Sequence, residues 1–125
     1  MPTARITGSA PVLLVKDVLA AAAYYRDKLG FSDQSLFGTP VNFAILRRDT
    51  LAIMLGQAED DAPIVPNWQR SQGLWNVYFW VDDVDAIYAE FQARGATIDY
   101  TLGVKAYGVK EFGVQDVDGY DVAFG

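Results

Sequence analysis

The sequence predicts an α+β fold in which two β-α-β-β-β modules form one domain. Three observations predict it: a strand followed by a capped helix occurs twice, three strand-like segments follow each helix, and 125 residues suit a single domain. The expected domain is residues 1–125, with modules at about 9–56 and 74–125. Residues 57–73 are the expected linker, because this stretch combines acidic residues with Pro63 and Pro66.

The first module begins with a short apolar run at residues 12–15, which is typical of a buried strand. Asp17 precedes an alanine-rich segment that ends before Gly30. An aspartate at the start and a glycine at the end are typical of a capped helix. Three segments of strand character follow, at residues 31–37, 41–47 and 50–55.

The second module repeats this pattern about half a chain length later. An apolar run at residues 77–81 leads to Asp83, which opens a second helical segment that ends before Gly95. Two capped helices alone could resemble each other by chance, but the three strands behind each helix indicate a duplicated unit. Those strands are expected at residues 97–100, 107–115 and 120–124.

Composition excludes several classes of function. The chain contains no cysteine and no histidine, which removes disulfides, thiolate and imidazole metal ligands, cysteine nucleophiles and the Ser-His-Asp triad. The chemistry that remains is that of carboxylates, lysine, tyrosine or an all-oxygen metal site. A net charge of −6, with no basic run longer than Arg47-Arg48, argues against nucleic acid and anionic membranes as partners.

No segment indicates targeting or membrane insertion. Residues 1–9 lack the apolar core of a signal peptide, and residues 18–25, the longest helical apolar stretch, are far short of the ~20 residues that a membrane span needs. The sequence therefore predicts a cytoplasmic protein with no membrane partner.

Three motifs give this pattern a family resemblance. They are Val15-Lys16-Asp17 with Lys28-Leu29-Gly30-Phe31, then Val81-Asp82-Asp83-Val84-Asp85, and last Tyr107-Gly108 and Phe112 before Asp116-Val117-Asp118-Gly119-Tyr120. In this order the chain resembles the vicinal oxygen chelate superfamily, which includes glyoxalase I, extradiol dioxygenases, fosfomycin resistance enzymes and bleomycin resistance proteins. It departs from the family's Asp-Pro-Asp-Gly turn, because Val117 replaces the proline.

The resemblance implies a paired, cup-shaped mixed sheet with a concave site. Enzymes of this superfamily hold a metal ion there with four His or Glu ligands. The corresponding positions here are Ala10, Met54 (or its neighbours Ile53 and Leu55), Asn76 and Ala123. These side chains provide no good donor set for a divalent ion, so we expect no metal and no cofactor. This combination resembles the bleomycin resistance proteins, which implies a homodimer with ligand grooves between protomers and a role in antibiotic resistance.

Strand alternation selects candidate ligand-binding residues. If Asn76 faces the cup, Tyr78 and Trp80 do so too, while Val77, Phe79 and Val81 face the helices. The same reasoning on the seventh strand places Phe112 and Val114 on the helix side. It places Tyr107 and Glu111 in the cup, and Asp121 on the face of Ala123. We expect the aromatic rings to contact a planar ligand and the two carboxylates to be available to a cation. The alternative for Tyr78 and Trp80 is packing in the core or in a dimer interface.

For Asn76, Trp75 and Trp68, the sequence leaves other roles open. Asn76 could satisfy a backbone group instead of contacting a ligand. Trp75 is expected to face the helices or the dimer interface, and Trp68, in the linker, could be a lid or an anchor.

Two hypotheses for function follow from the sequence. The favoured one is a metal-free protein that binds a small drug or metabolite, planar or cationic, and acts by sequestration. The alternative is a glyoxalase-like lyase or isomerase, or a dioxygenase-related enzyme. Such an enzyme would use Glu111 or Asp121 as a general base, or an atypical metal site with oxygen ligands.

Overall fold

A computed structural model describes residues 2–125 and confirms the two β-α-β-β-β modules of the α+β fold. The first module contains β1 (Val12–Val15), α1 (Val18–Leu29), β2 (Asp33–Phe37), β3 (Phe43–Arg48) and β4 (Leu51–Gln57). The second contains β5 (Val77–Phe79), α2 (Val84–Arg94), β6 (Ile98–Val104), β7 (Lys110–Gln115) and β8 (Asp121–Phe124). Between the modules, a short 3-10 helix spans Asn67–Gln69.

Each module forms its own four-stranded mixed sheet. The strand orders are β1-β4-β3-β2 and β5-β8-β7-β6. The first strand of each module pairs in parallel with the last, and the other pairs are antiparallel. The described chain thus forms two half-cups and no closed barrel.

Both helices begin and end as the sequence predicts. The Asp17 carboxylate accepts hydrogen bonds from the amides of Leu19 and Ala20, which the first turn of a helix leaves without partners. Asp83 caps α2 in the same way. Gly30 and Gly95 end the helices at φ 72° and 80°, a left-handed conformation that favours glycine.

One hydrophobic core joins the two modules. The helix-facing side chains of both sheets contribute to a single cluster, in which the Phe31 ring lies 5.7 Å from the Phe79 ring of the second module. At the edge of this core, the Arg48 guanidinium donates to the Glu90 carboxylate at 2.7 Å. The helix-facing sides are therefore buried against each other within one chain.

The opposite side of each sheet, here called its outer face, does not pack against the helices. On β1, Val12 and Leu14 are exposed and alternate with buried Leu13 and Val15. On the second module, Trp80, directly after β5, is 81% exposed. Contiguous exposed apolar patches on a sheet face are typical of interaction surfaces.

A buried hydrogen bond between Tyr25 and Asp116 connects the modules. Tyr25 is fully buried, and its hydroxyl donates to the Asp116 carboxylate at 2.5 Å. Tyr25→Phe is expected to lower the free energy of unfolding by about 1–3 kcal/mol, because one buried acceptor loses its donor. Urea unfolding measures this. Tyr88→Phe is the matched control, since the Tyr88 hydroxyl has no hydrogen-bond partner among residues 2–125; equal losses in both variants would contradict this role of Tyr25.

Candidate functional site

A carboxylate surrounded by tyrosine hydroxyls lies on the outer face of the second sheet. Glu111 on β7 is only 1% exposed, and its two oxygens accept hydrogen bonds from Tyr78 at 2.9 Å and from Tyr100 at 2.5 Å. The Tyr107 hydroxyl lies close enough to this carboxylate to lower its pKa. These four residues are called the Glu111 cluster below.

Two glycines make room for the tyrosines of the cluster. Tyr100 on β6 lies opposite Gly113 on β7, and a Cβ atom at Gly113 would lie 2.2 Å from Cε1 of the Tyr100 ring. A Cβ atom at Gly125 would collide with the Tyr78 hydroxyl at 2.0 Å. A glycine within a strand often marks such a close approach. The hydroxyls reach Glu111 because the backbone beneath each ring carries no side chain.

The cluster keeps Glu111 ionised and its tyrosines protonated. Burial raises the pKa of Glu111, but the Tyr100, Tyr107 and Tyr78 hydroxyls and the Lys105 ammonium lower it more, so that this pKa lies below its usual value. Burial and the Glu111 charge raise the pKa of Tyr78 and of Tyr107 to about 12, and that of Tyr100 further still. A carboxylate of lowered pKa is a weak general base but a stable anionic contact.

Aromatic rings border this anion. The Trp75 and Tyr78 rings meet edge to face at 4.9 Å, and the Tyr78 and Trp80 rings are 5.5 Å apart. Trp75 donates its indole N–H to the Tyr100 hydroxyl at 3.1 Å. The Lys105 ammonium lies 4.6 Å from the centre of the Tyr100 ring. Flat aromatic surfaces beside a carboxylate form an environment suited to organic cations.

Several predicted positions agree with this geometry. Tyr78 lies on the outer side of β5, while Val77 and Phe79 are buried against the helices, and the Trp80 ring, directly after the strand, lies 5.5 Å from that of Tyr78. Glu111 and Asp121 lie on the outer face, where Ala123 is opposite Tyr78. Trp80 also borders a cleft of about 520 Å³ between the modules.

Other predictions about these residues need correction. Tyr107 does not lie on β7, which begins only at Lys110, because residues 105–109 form a closed turn. Of the two orientations expected for Trp75, the one toward the helices is wrong, since Trp75 precedes β5 and its indole lies against Tyr100; the one toward a dimer interface stays a prediction. Glu111 and Asp121 are 1% and 4% exposed and so are not freely available in this chain.

The side chains of Asn76 and Trp68 form hydrogen bonds that attach the linker to the second module. The Asn76 side-chain oxygen accepts a hydrogen bond from the Asn67 amide at 2.8 Å, which is the backbone role that the sequence left open. The Trp68 indole donates to the Gly119 carbonyl at 2.6 Å. These bonds favour an anchor over a lid for Trp68, and they use the Asn76 oxygen within the chain.

The four family metal positions do not form a donor set. Met54 lies opposite Val12 and beside the Pro11 carbonyl, so Ala10 and Met54 are near the same strand pair. Asn76 pairs through its backbone with Asp121, and Ala123 is fully buried with no donor atom. No group of three or more His, Cys, Asp or Glu residues in the described range could hold an ion. A thioether and one engaged amide do not fit a divalent metal.

Asp121 gives the protein a pH-dependent stability. Burial and the nearby Asp99 raise the Asp121 pKa to about 6, against an ordinary value of 3.8. The neutral form is therefore favoured on folding, and its contribution is complete below pH 4 and lost as the pH rises through about 6. Asp121→Asn is expected to match the wild type at pH 4 and to exceed its free energy of unfolding at pH 7 by about 1–2 kcal/mol. Urea unfolding across this range measures both, and a difference that does not change with pH would contradict the assignment.

Comparisons with known proteins agree with this fold. The family model described as "Glyoxalase/Bleomycin resistance protein/Dioxygenase superfamily" matches residues 7–124. The chain is similar to the bleomycin-binding protein of bleomycin-producing Streptomyces verticillus, solved with copper(II)-bleomycin, at 25% identity and TM-score 0.72, over 98% of this chain and 97% of that one. No curated protein matches it.

Two other solved structures show the same fold. A glyoxalase/bleomycin resistance protein from Catenulispora acidiphila is 24% identical, with TM-score 0.67 over 94% of this chain and 96% of that one. A lactoylglutathione lyase from Agrobacterium tumefaciens is 21% identical, with TM-score 0.65 over 100% and 95%. None of the helices within residues 2–125 is long and apolar enough to cross a membrane. By its match over nearly its whole length, the chain belongs to the glyoxalase/bleomycin resistance protein/dioxygenase superfamily.

Proposed function

We propose that this protein binds a flat organic cation, a drug or metabolite, and acts by sequestering it without a metal. The observation that carries the proposal is the ionised Glu111 carboxylate among the rings of Trp75, Tyr78 and Trp80. Charge attraction and contact with aromatic faces both favour such a ligand over an anion. Glu111 itself, with its lowered pKa, is a weak general base and a poor nucleophile.

The family positions and the relatives support binding over catalysis. The superfamily's metal chemistry requires ligands that Ala10, Met54, Asn76 and Ala123 do not supply. The Streptomyces verticillus relative, similar over nearly its whole length, is itself a bleomycin-binding protein. Sequestration in the cytoplasm would lower the free concentration of a toxic compound, and this is how we propose that the protein contributes to antibiotic resistance.

A second copy of the chain completes the proposed groove. The outer face of the first sheet carries the exposed apolar side chains of Val12, Leu14 and Phe37, and Trp80 is exposed beside the second sheet. A two-fold dimer would place the first sheet of one protomer over the Glu111 cluster of its partner and bury both faces at once. Sedimentation equilibrium is expected to give twice the mass of the chain.

Tryptophan fluorescence tests the proposed function. The rings of Trp75 and Trp80 both lie against that of Tyr78 beside Glu111, so a bound planar cation is expected to change their emission. The titration uses metal-free bleomycin and a panel of planar cationic drugs, with planar anions of similar size as the control. Saturable changes with cations alone support the proposal, and a flat response to every cation contradicts it.

A second candidate function rests on Asp121. A carboxyl group with a pKa near 6 is suited to act as a general base at neutral pH. In this chain Asp121 is nearly covered and accepts a hydrogen bond from Gln115 at 3.4 Å, so a substrate would have to displace that contact. Turnover that rises with pH through about 6 and is lost in Asp121→Asn would favour this enzyme. Elemental analysis of protein purified without chelator separates the metal-dependent alternative.

A further inference from the structure

The turn between β6 and β7 directs two of its own side chains toward the Glu111 cluster. The turn is closed by hydrogen bonds from the Lys105 amide to Val109 and from the Gly108 amide to Lys105. Gly108 has φ 85°, which allows the tight reversal. From this turn, the Tyr107 hydroxyl comes close enough to Glu111 to lower the pKa of that carboxylate, and Lys105 places its ammonium over the Tyr100 ring.

Lys105 occupies the kind of position that an organic cation would take. Its ammonium is 4.6 Å from an aromatic ring centre and close enough to Glu111 to lower the pKa of that carboxylate. Within residues 2–125, Lys105 makes no ion pair. Lys110, in contrast, is paired with Asp85 at 2.8 Å. Lys105 is therefore held at the cluster mainly by its contact with the Tyr100 ring and by electrostatic attraction to the Glu111 carboxylate.

The turn between β6 and β7 has the low packing of a segment that can open locally. Glu111 is 1% exposed, and Tyr78, Tyr100 and the turn's own Tyr107 surround its oxygens, so a ligand cation reaches the carboxylate only when part of this cover moves. The turn itself is lightly packed: Tyr107 is 59% exposed, Val104 at the end of β6 is 71% exposed, and the two backbone hydrogen bonds that close the turn join its own residues. Segments with few buried contacts open locally at low cost.

We infer that the β6–β7 turn is a gate, and that Lys105 is a built-in competitor which the ligand's ammonium or guanidinium group replaces at Glu111. This inference rests on the proposed function and specifies the class of ligand. A ligand with such a cation restores the contact that Lys105 gives up when the turn opens. A neutral aromatic compound cannot restore it and is rejected, because the carboxylate would remain buried without a cation.

The test compares Lys105→Met with the wild type. The probes are phenyltrimethylammonium and its neutral isostere tert-butylbenzene, and binding is read from tryptophan fluorescence. Removing the competitor is expected to increase the affinity for phenyltrimethylammonium about five- to tenfold, as expected for the loss of one cation–aromatic contact. The neutral isostere is expected to bind more weakly than phenyltrimethylammonium to both proteins, because it brings no cation to the Glu111 carboxylate.

Lys110→Met is the matched control, because it removes the same charge from the adjacent strand while its partner Asp85 lies on α2, away from the cluster. An equal gain in both lysine variants would reveal a general charge effect and overturn the gate. So would unchanged cation affinity in Lys105→Met when the wild type binds the probe. If neither the wild type nor Lys105→Met binds any cation, including metal-free bleomycin, the proposed function itself fails.

Discussion

Gly113→Ala is expected to weaken the binding of an organic cation by about tenfold or more, equivalent to about 1.4 kcal/mol. The added Cβ atom would lie 2.2 Å from the Tyr100 ring, which must swing away from β7. Tyr100 then loses its hydrogen bonds to Glu111 and to Trp75, and the Trp75 ring is no longer held in place beside the carboxylate. We expect the overpacked site to cost about 1–3 kcal/mol of unfolding free energy as well. Calorimetric titration and urea unfolding measure the two effects.

Gly103→Ala is the control for this substitution. Gly103 lies on β6 opposite Glu111, and a Cβ atom there would have no neighbour within 4 Å. It should therefore bind ligand as the wild type does. In a Tyr100→Leu background, Gly113→Ala should cost much less than it does alone, because the ring it collides with is gone. If Gly113→Ala binds the cation as tightly as the wild type does, the position of the Tyr100 ring over Gly113 has no part in ligand recognition.

Phe91→Ala is expected to lower the free energy of unfolding by about 3–5 kcal/mol, the largest stability effect we anticipate. Phe91 is fully buried on α2, where its ring lies 4.9 Å from that of Phe124 and 5.9 Å from that of Phe112. The Arg48 guanidinium of the first module lies 5.7 Å from its centre. The cavity left by alanine therefore opens at the junction of the modules, and both are expected to unfold in one transition.

Leu19→Ala provides the comparison, since Leu19 is half exposed on α1 and its truncation should change stability by no more than about 0.5 kcal/mol. Circular dichroism reports both helices, and tryptophan fluorescence reports the second module. Coincident transitions in Phe91→Ala support the shared core. Two separate transitions, with the first module unaffected, would show that the modules fold independently.

Features that depend on local sequence were predicted well. The caps Asp17 and Asp83 act through the first turn of their own helices, so their neighbours in sequence are enough to identify them. The alternation of β5 likewise follows from the strand itself, with Val77 and Phe79 buried and Tyr78 outside. Such patterns need no knowledge of the rest of the chain.

Features that depend on where strands end were predicted less well. Tyr107 and Trp75 lie just outside β7 and β5, and period-two alternation does not apply beyond a strand end. Tyr100 and Lys105 were not predicted as part of the site, because β6 pairs with β7 through register shifts that break the alternation. Gly113, a glycine within an apolar strand, was the available signal for the close approach of a ring.

Burial was the property of the carboxylates that the sequence did not reveal. Alternation placed Glu111 and Asp121 on the outer face, but their exposure depends on tyrosines and an acid from distant segments. These neighbours lower the pKa of Glu111 and raise that of Asp121, although both residues are carboxylates on the same sheet face. One is therefore suited to hold a cation, and the other makes stability depend on pH.

Calorimetric titration of metal-free bleomycin in the presence of EDTA, with wild type and Glu111→Gln side by side, tests the central claim most directly. We expect saturable binding to the wild type that the chelator does not alter, and binding at least about tenfold weaker in Glu111→Gln, equivalent to about 1.4 kcal/mol. Binding that requires an added divalent ion, or that is equally tight without the Glu111 charge, would contradict it.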